Sequence, residues 1–147
     1  MEQIYPYVQI VHLICAIIFL GYIFFDVVIF SRLKSALGAD FERVKKAIGS
    51  RAIKIMPVCL FTLIITGGMM MSRWVGSANG GYFATPLQKI FMLKVTLALI
   101  IAVCVAINLS CRAMGRPAPE FLRANIHKIA FVFGFIIVLC AKLMFVV

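Results

Sequence analysis

Acidic side chains are scarce in this chain of 147 residues: five Asp and Glu stand against fifteen Lys and Arg, giving a formal net charge of +10. Charged residues make up only 14% of the chain, whereas 64% of the residues are hydrophobic. A soluble domain of this size is about half apolar, because water must wet its surface. The shortage of charge argues against an ordinary soluble fold and favours a single domain whose surface faces lipid.

Short chemical motifs are also lacking. The five cysteines form no CxxC pair, which argues against a structural zinc site, and we expect them to pack as small apolar side chains. There is no Gly-rich phosphate loop, HExxH or GxSxG, so soluble-type hydrolysis and phosphoryl transfer are not indicated. Whether the chain is an enzyme stays open. No element that reads nucleic acid accompanies the positive charge, so we expect no nucleic-acid partner.

Long apolar runs are what the sequence has in abundance. A helix that crosses a membrane needs about 20 apolar residues. Four runs reach or approach that length, at about residues 5–30, 55–71, 89–109 and 129–147. We place Pro57 in the first turn of the second helix, where its missing N–H costs little. The sequence predicts an all-α integral membrane protein, a four-transmembrane-helix bundle over residues 1–147.

The basic residues predict the orientation of the helices. They concentrate after the first and third runs, at Arg32, Lys34, Arg43, Lys45, Lys46, Arg51, Lys54, Arg112, Arg116, Arg123 and Lys128. By the positive-inside rule, these two loops are cytoplasmic and both termini are periplasmic, in a bacterial inner (cytoplasmic) membrane. The first loop is either a short amphipathic helix on the inner leaflet or a solvated charged loop.

Polar side chains inside the apolar runs are costly and therefore indicate sites. In the first run, a 3-4-3-4 spacing puts His12, Cys15, Phe19, Tyr22 and Asp26 on one stripe. We expect this stripe to face the interior of the bundle.

The third run carries Lys94 and Asn108 on one face. Their separation of 14 residues equals that of His12 and Asp26. Because the first and third helices run in the same direction, this predicts two layers about 21 Å apart. The outer layer holds His12 and Lys94. The inner layer holds Asp26 and Asn108, which form either a proton or ion site or an interhelical hydrogen bond.

The outer layer is also rich in methionine, with Met69, Met70 and Met92. Imidazole and thioether are ligands suited to Cu(I), so these methionines and His12 are candidate copper ligands. The alternative is that methionine fills gaps in the bundle while His12 bonds a neighbouring helix.

A haem b site would use the same layer differently. His12 and a methionine would be the axial ligands, and Lys94, Arg73 or Lys142 would pair with the propionates. The ammonium of Lys94 repels a metal cation and suits an anionic ligand better. The other histidine, His127, is expected to begin the fourth helix at the cytoplasmic edge, too far from His12 to share one haem.

At these residues the chain resembles the bacterial CopD family of membrane proteins, associated with copper uptake or resistance. The resemblance is carried by His12 with Phe19-Leu20-Gly21, Thr66-Gly67, Met92-Leu93-Lys94-Val95, Ala106-Ile107-Asn108 and Leu122-Arg123. Phe19 and Tyr22 replace the family's Trp and second Gly. This resemblance implies a protein of copper homeostasis.

The chain is also similar, more distantly, to HemJ, a four-helix membrane protein that oxidises protoporphyrinogen. His12 and Lys94 match HemJ positions, whereas Met92 replaces its third-helix histidine. The leading hypothesis is therefore CopD-like copper binding or conduction around His12. The alternatives are a haem b-binding or HemJ-like oxidoreductase, and an accessory subunit without a ligand. A homo-oligomer or a partner membrane subunit is compatible with all three.

Overall fold

The computed structural model describes residues 3–146, which are almost entirely helical and contain no β-strand. Three helical stretches in this range are long and apolar enough to cross a membrane: Tyr5–Met71, Pro86–Ala113 and Glu120–Leu143. The predictions of an all-α chain and of several membrane-spanning segments are confirmed. The chain forms two compact units, one ending at Gly67 and the other beginning at Gly68, and each is described by itself.

The first unit contains most of the stretch Tyr5–Met71. Its helical segments follow one another almost without interruption: α1 (Tyr5–Phe24), a π-helical turn (Phe25–Ile29), a 3-10 turn (Phe30–Leu33), α2 (Lys34–Leu37), a second 3-10 turn (Gly38–Asp40) and α3 (Phe41–Met71). Gly38 adopts φ 51°, a backbone conformation that favours glycine, and it ends α2.

Helices α1 and α3 fold back on each other as a hairpin. The imidazole of His12 lies 2.8 Å from the hydroxyl of Thr66, although 54 residues separate them. A straight helix would hold these residues about 81 Å apart. At the other end of the hairpin, the rings of Phe30 and Phe41 stack with their centroids 4.9 Å apart. The stretch Tyr5–Met71 is therefore two contacting helices joined by a reversal.

Helix α3 begins earlier than the sequence suggests. It starts at Phe41, so residues 41–54 form its N-terminal half instead of a loop or a separate short helix. The segment is rich in Ala, Lys and Arg, which favour helix, and its charged side chains do not interrupt the helix. The placement of Pro57 in a first turn is consequently wrong, because this residue lies inside α3.

The second unit contains the end of α3, a turn-rich loop, α4 (Pro86–Ala113) and α5 (Glu120–Leu143). The hydroxyl of Thr85 and the side chain of Gln88 form a capping box at the start of α4. Helix α5 begins at Glu120, nine residues before the predicted start. His127 is therefore the eighth residue of α5 and not its first.

A small apolar cluster and one buried amide organise the second unit. Val75, Phe91 and Met144 are its buried members. The Gln88 side chain, 3% exposed, donates to the carbonyl of Asn79 at 2.8 Å and accepts from the N–H of Ala84 at 2.9 Å. The middle and the end of the loop before α4 are thus tied to the helix.

Candidate functional site

The predicted polar stripe on α1 is its least exposed face. Phe19 is buried, and His12, Cys15, Tyr22 and Asp26 are half-buried. Most apolar side chains between them are exposed, as lipid-facing residues should be, at Leu13, Ile14, Ile17, Ile18 and Phe24, whereas Ile23 is buried beside the stripe. The half-burial of the stripe agrees with its 3-4 spacing, and its facing the interior of a four-helix bundle stays a prediction.

His12 is held by the hydroxyl of Thr66, across the α1–α3 hairpin. The Nδ1 atom of His12 lies 2.8 Å from Oγ1 of Thr66, and this hydroxyl donates its proton to the carbonyl of Thr62 at 2.6 Å. A hydroxyl has one proton, so while that proton is on the Thr62 carbonyl the oxygen accepts from Nδ1–H of His12. In this arrangement Nε2 is the nitrogen that carries the ligating lone pair.

Gly67 lies beside the imidazole ring. A Cβ atom at this position would lie 3.5 Å from Cε1 of His12, an ordinary van der Waals distance, so a methyl group would fit between the ring and the backbone. Thr66 itself is 7% exposed, which keeps water from its hydroxyl. Thr66 therefore orients one histidine by a hydrogen bond. A bond from His12 to a neighbouring helix was the alternative to metal ligation that the sequence offered, but Thr66 was not named as the partner.

Asp26 lies in the π-helical turn Phe25–Ile29 and is half-buried. Such turns insert one residue into a helix and often occur at functional positions. Its predicted partner Asn108 is half-buried on α4, in the other unit. The pairing of Asp26 with Asn108 stays a prediction, as does the outer layer of His12 and Lys94.

Lys94 is a half-buried cation on the apolar helix α4. Its Nζ atom lies 5.5 Å from the centroid of the Phe91 ring, on the buried cluster of the second unit. The aromatic face stabilises the ammonium without neutralising it. No carboxylate in residues 3–146 forms an ion pair with it. An anionic group is the ligand that such a lysine suits best.

The predicted methionine ligands differ in accessibility. Met70 is 9% exposed, Met69 is 48% exposed and Met92 is half-buried. Met70 follows Thr66 by four residues, so both lie on the same face of α3. Of the two predicted ligands on α3, Met70 is therefore the buried one.

The remaining candidate residues give less support to a metal or haem site. Within residues 3–146, no three His, Cys, Asp or Glu side chains gather closely enough to hold a metal ion. A metal at His12 would need thioether or non-protein ligands. Arg73 and Lys142, the alternative partners for propionates, are exposed, and His127 is half-buried on α5.

Comparison with models of known protein families, with characterised proteins and with solved structures gave no match. The resemblances to CopD and HemJ rest on the residues quoted above and stay predictions.

Proposed function

We propose that this chain crosses a bacterial inner membrane four times, with both termini in the periplasm. The α1–α3 hairpin supports four crossings, because it divides the stretch Tyr5–Met71 into two antiparallel helices. The bases of the reversal and of the α4–α5 connection favour a cytoplasmic location for both.

The site that we propose is a Cu(I) site at His12, in a CopD-like protein of copper homeostasis that binds or conducts the ion as its substrate. The observation that carries this proposal is the hydrogen bond between Nδ1 of His12 and the Thr66 hydroxyl, which makes Nε2 the ligating nitrogen when Nδ1 carries the proton. Met70 and Met92 would supply the soft thioether ligands that Cu(I) prefers. Met69, being largely exposed, would contribute least.

The second candidate function is binding of haem b, with HemJ-like oxidation of a porphyrinogen as its activity. It is favoured by Lys94, a half-buried ammonium that no carboxylate in residues 3–146 neutralises. A haem would supply iron for axial ligation by His12 and propionates for a charge-assisted bond with Lys94. The third candidate, an accessory subunit without a ligand, makes no use of either residue.

Metal content and absorption of the purified full chain separate the three. The protein is expressed in cells supplied with copper and with a haem precursor, and is purified in detergent as wild type, His12→Ala and His127→Ala. Copper binding predicts stoichiometric copper and no Soret band, with copper lost only in His12→Ala. A Soret band lost in His12→Ala supports haem. Wild-type protein with neither ligand rejects both and supports the accessory subunit.

A further inference from the structure

Helix α3 is longer than a bilayer requires, and its excess length is basic. Its 31 residues span about 46 Å, against about 30 Å for the hydrocarbon core. The uncharged segment from Ile55 to Met71 accounts for about 26 Å of that length. The remaining residues, 41–54, extend about 21 Å from the apolar part along the same helix.

This extension carries five bases and a single acid, Glu42. All five bases are exposed: Arg43, Lys45, Lys46, Arg51 and Lys54. The apolar side chains among them are less exposed, with Phe41 buried and Val44 and Ile48 half-buried. The extension is thus an amphipathic continuation of a membrane helix, with its positive side chains outward.

The bases are concentrated on one side of the helix. At about 100° per residue, Lys46, Arg43, Lys54 and Arg51 fall within an arc of about 140°. The fifth base, Lys45, points elsewhere, and its Nζ atom lies 6.0 Å from the centroid of the Phe41 ring. Arg43 forms an ion pair with Asp40 at 3.1 Å, which offsets part of its charge.

Depth distinguishes the bases further. Lys54 immediately precedes the uncharged segment, and Arg51 lies about 4.5 Å farther out along the axis. Both fall within the headgroup layer, which adds about 5–7 Å to each side of the hydrocarbon core. Arg43 and Lys46 lie beyond that layer but within about two Debye lengths of the membrane surface, where their attraction to negative charge is weaker.

We propose that this basic face, defined by Arg43, Lys46, Arg51 and Lys54, binds the phosphate headgroups of anionic phospholipids. Lys54 and Arg51 make the direct contacts, and the outer two bases add long-range attraction. Clusters of four or more bases next to a membrane helix have this affinity as a general property. The inference needs only that α3 spans a bilayer, so it does not depend on copper or haem binding.

Native mass spectrometry of the full chain in detergent tests the proposal. The protein is titrated separately with phosphatidylglycerol and phosphatidylcholine of the same acyl chains. We expect phosphatidylglycerol to bind preferentially, and the double substitution R51Q/K54Q to weaken its binding by about five-fold for each base removed. The matched control R112Q/R116Q removes the same charge from the end of α4 and the loop after it.

The control should keep the wild-type preference for phosphatidylglycerol, and circular dichroism should show equal helicity in all three proteins. Equal binding of the two lipids by the wild type overturns the proposal. So does an equal loss in R51Q/K54Q and in R112Q/R116Q, because the attraction would then reflect only net charge. Copper content measured on the same samples reports separately on the His12 site.

Discussion

His12 is a histidine inside an apolar helix whose orientation is set by the opposite helix of the same hairpin. Nδ1 of His12 is hydrogen-bonded to the Thr66 hydroxyl, which also bonds the carbonyl of Thr62. A histidine held only to satisfy its own polarity needs no particular tautomer. A metal-binding histidine does, because its ligating nitrogen must carry the lone pair. The hydrogen bonds through Thr66 are therefore compatible with a purely structural role for His12 and well suited to metal ligation.

Removing the Thr66 hydroxyl should weaken copper binding without unfolding the hairpin. In Thr66→Val the Nδ1–H of His12 loses its acceptor, and we expect Cu(I) affinity to fall by about 10- to 100-fold. Thr66→Ser keeps the hydroxyl and should retain most of the affinity. The measurement is competition for Cu(I) against a chromophoric chelator.

Thr62→Val is the matched control for this series. The Thr62 hydroxyl donates only to the carbonyl of Val58 in its own helix, at 2.9 Å. Equal losses in Thr62→Val and Thr66→Val would show that the hydrogen bonds through Thr66 have no specific role.

At the residue scale, the sequence predicted which residues share one face of the first helix but not which residue His12 contacts. The 3-4 spacing of His12, Cys15, Phe19, Tyr22 and Asp26 is a local property of one helix, so their shared face could be foreseen. The bond between His12 and Thr66 depends on the axial offset of two helices. That offset is fixed by packing and by the length of the reversal, neither of which has a local sequence signal.

The α1–α3 hairpin is fastened at its turn by aromatic packing. Phe30 is 3% exposed and Phe41 is 8% exposed, and their rings stack with an interplanar angle of 14°. Because both rings are buried, this pair contributes to the contact between the two helices at the turn.

Truncating one ring should destabilise the hairpin. In Phe41→Ala we expect the free energy of unfolding in detergent to fall by about 3 kcal/mol, through lost burial and lost ring contact. Denaturant titration followed by circular dichroism measures this change. Phe61→Ala is the control, since Phe61 is 66% exposed and should cost far less. A control as destabilised as Phe41→Ala would contradict the assigned role of the stack.

The sequence predicted that the long elements are helices but not the residues at which they begin. Apolar runs located every long helix, because lipid exposure demands them. The starts of α3 and α5 were placed 14 and nine residues late, since hydropathy marks where a helix enters lipid and not where helix begins. Pro57 was placed in a first turn for the same reason, because the helix was expected to begin where its apolar run begins. An interior proline is tolerated in membrane helices, where neighbouring groups can satisfy the freed carbonyl.

The number of crossings decides where the two ends of the whole chain lie. Four crossings put both termini on one side of the membrane, and three put them on opposite sides. The α1–α3 hairpin and the distribution of Lys and Arg favour four.

Reporter fusions at successive loops measure this directly. We expect a fluorescent reporter, active only in the cytoplasm, to be bright when fused after Gly38 or Gly115. We expect a phosphatase, active only in the periplasm, to work when fused after Gly80 or Val147. A bright fluorescent fusion after Val147 would contradict four crossings, and a phosphatase active after Gly38 would contradict the proposed orientation.

The two-layer arrangement stays a prediction, as do the four crossings and their orientation. It follows from the equal spacing in sequence of His12 and Asp26 and of Lys94 and Asn108, although Asp26 lies in the π-helical turn after α1. Equal spacing constrains depth only if both helices cross the bilayer in the same direction and with similar tilt. Sequence patterns carry no information about tilt.

The central claim, that Nε2 of His12 binds Cu(I), is tested most directly by X-ray absorption of the copper-loaded protein. The account predicts imidazole scattering together with sulfur in the wild type, and loss of the imidazole contribution in His12→Ala but not in His127→Ala. An imidazole signal that persists in His12→Ala, or that disappears only in His127→Ala, would contradict it.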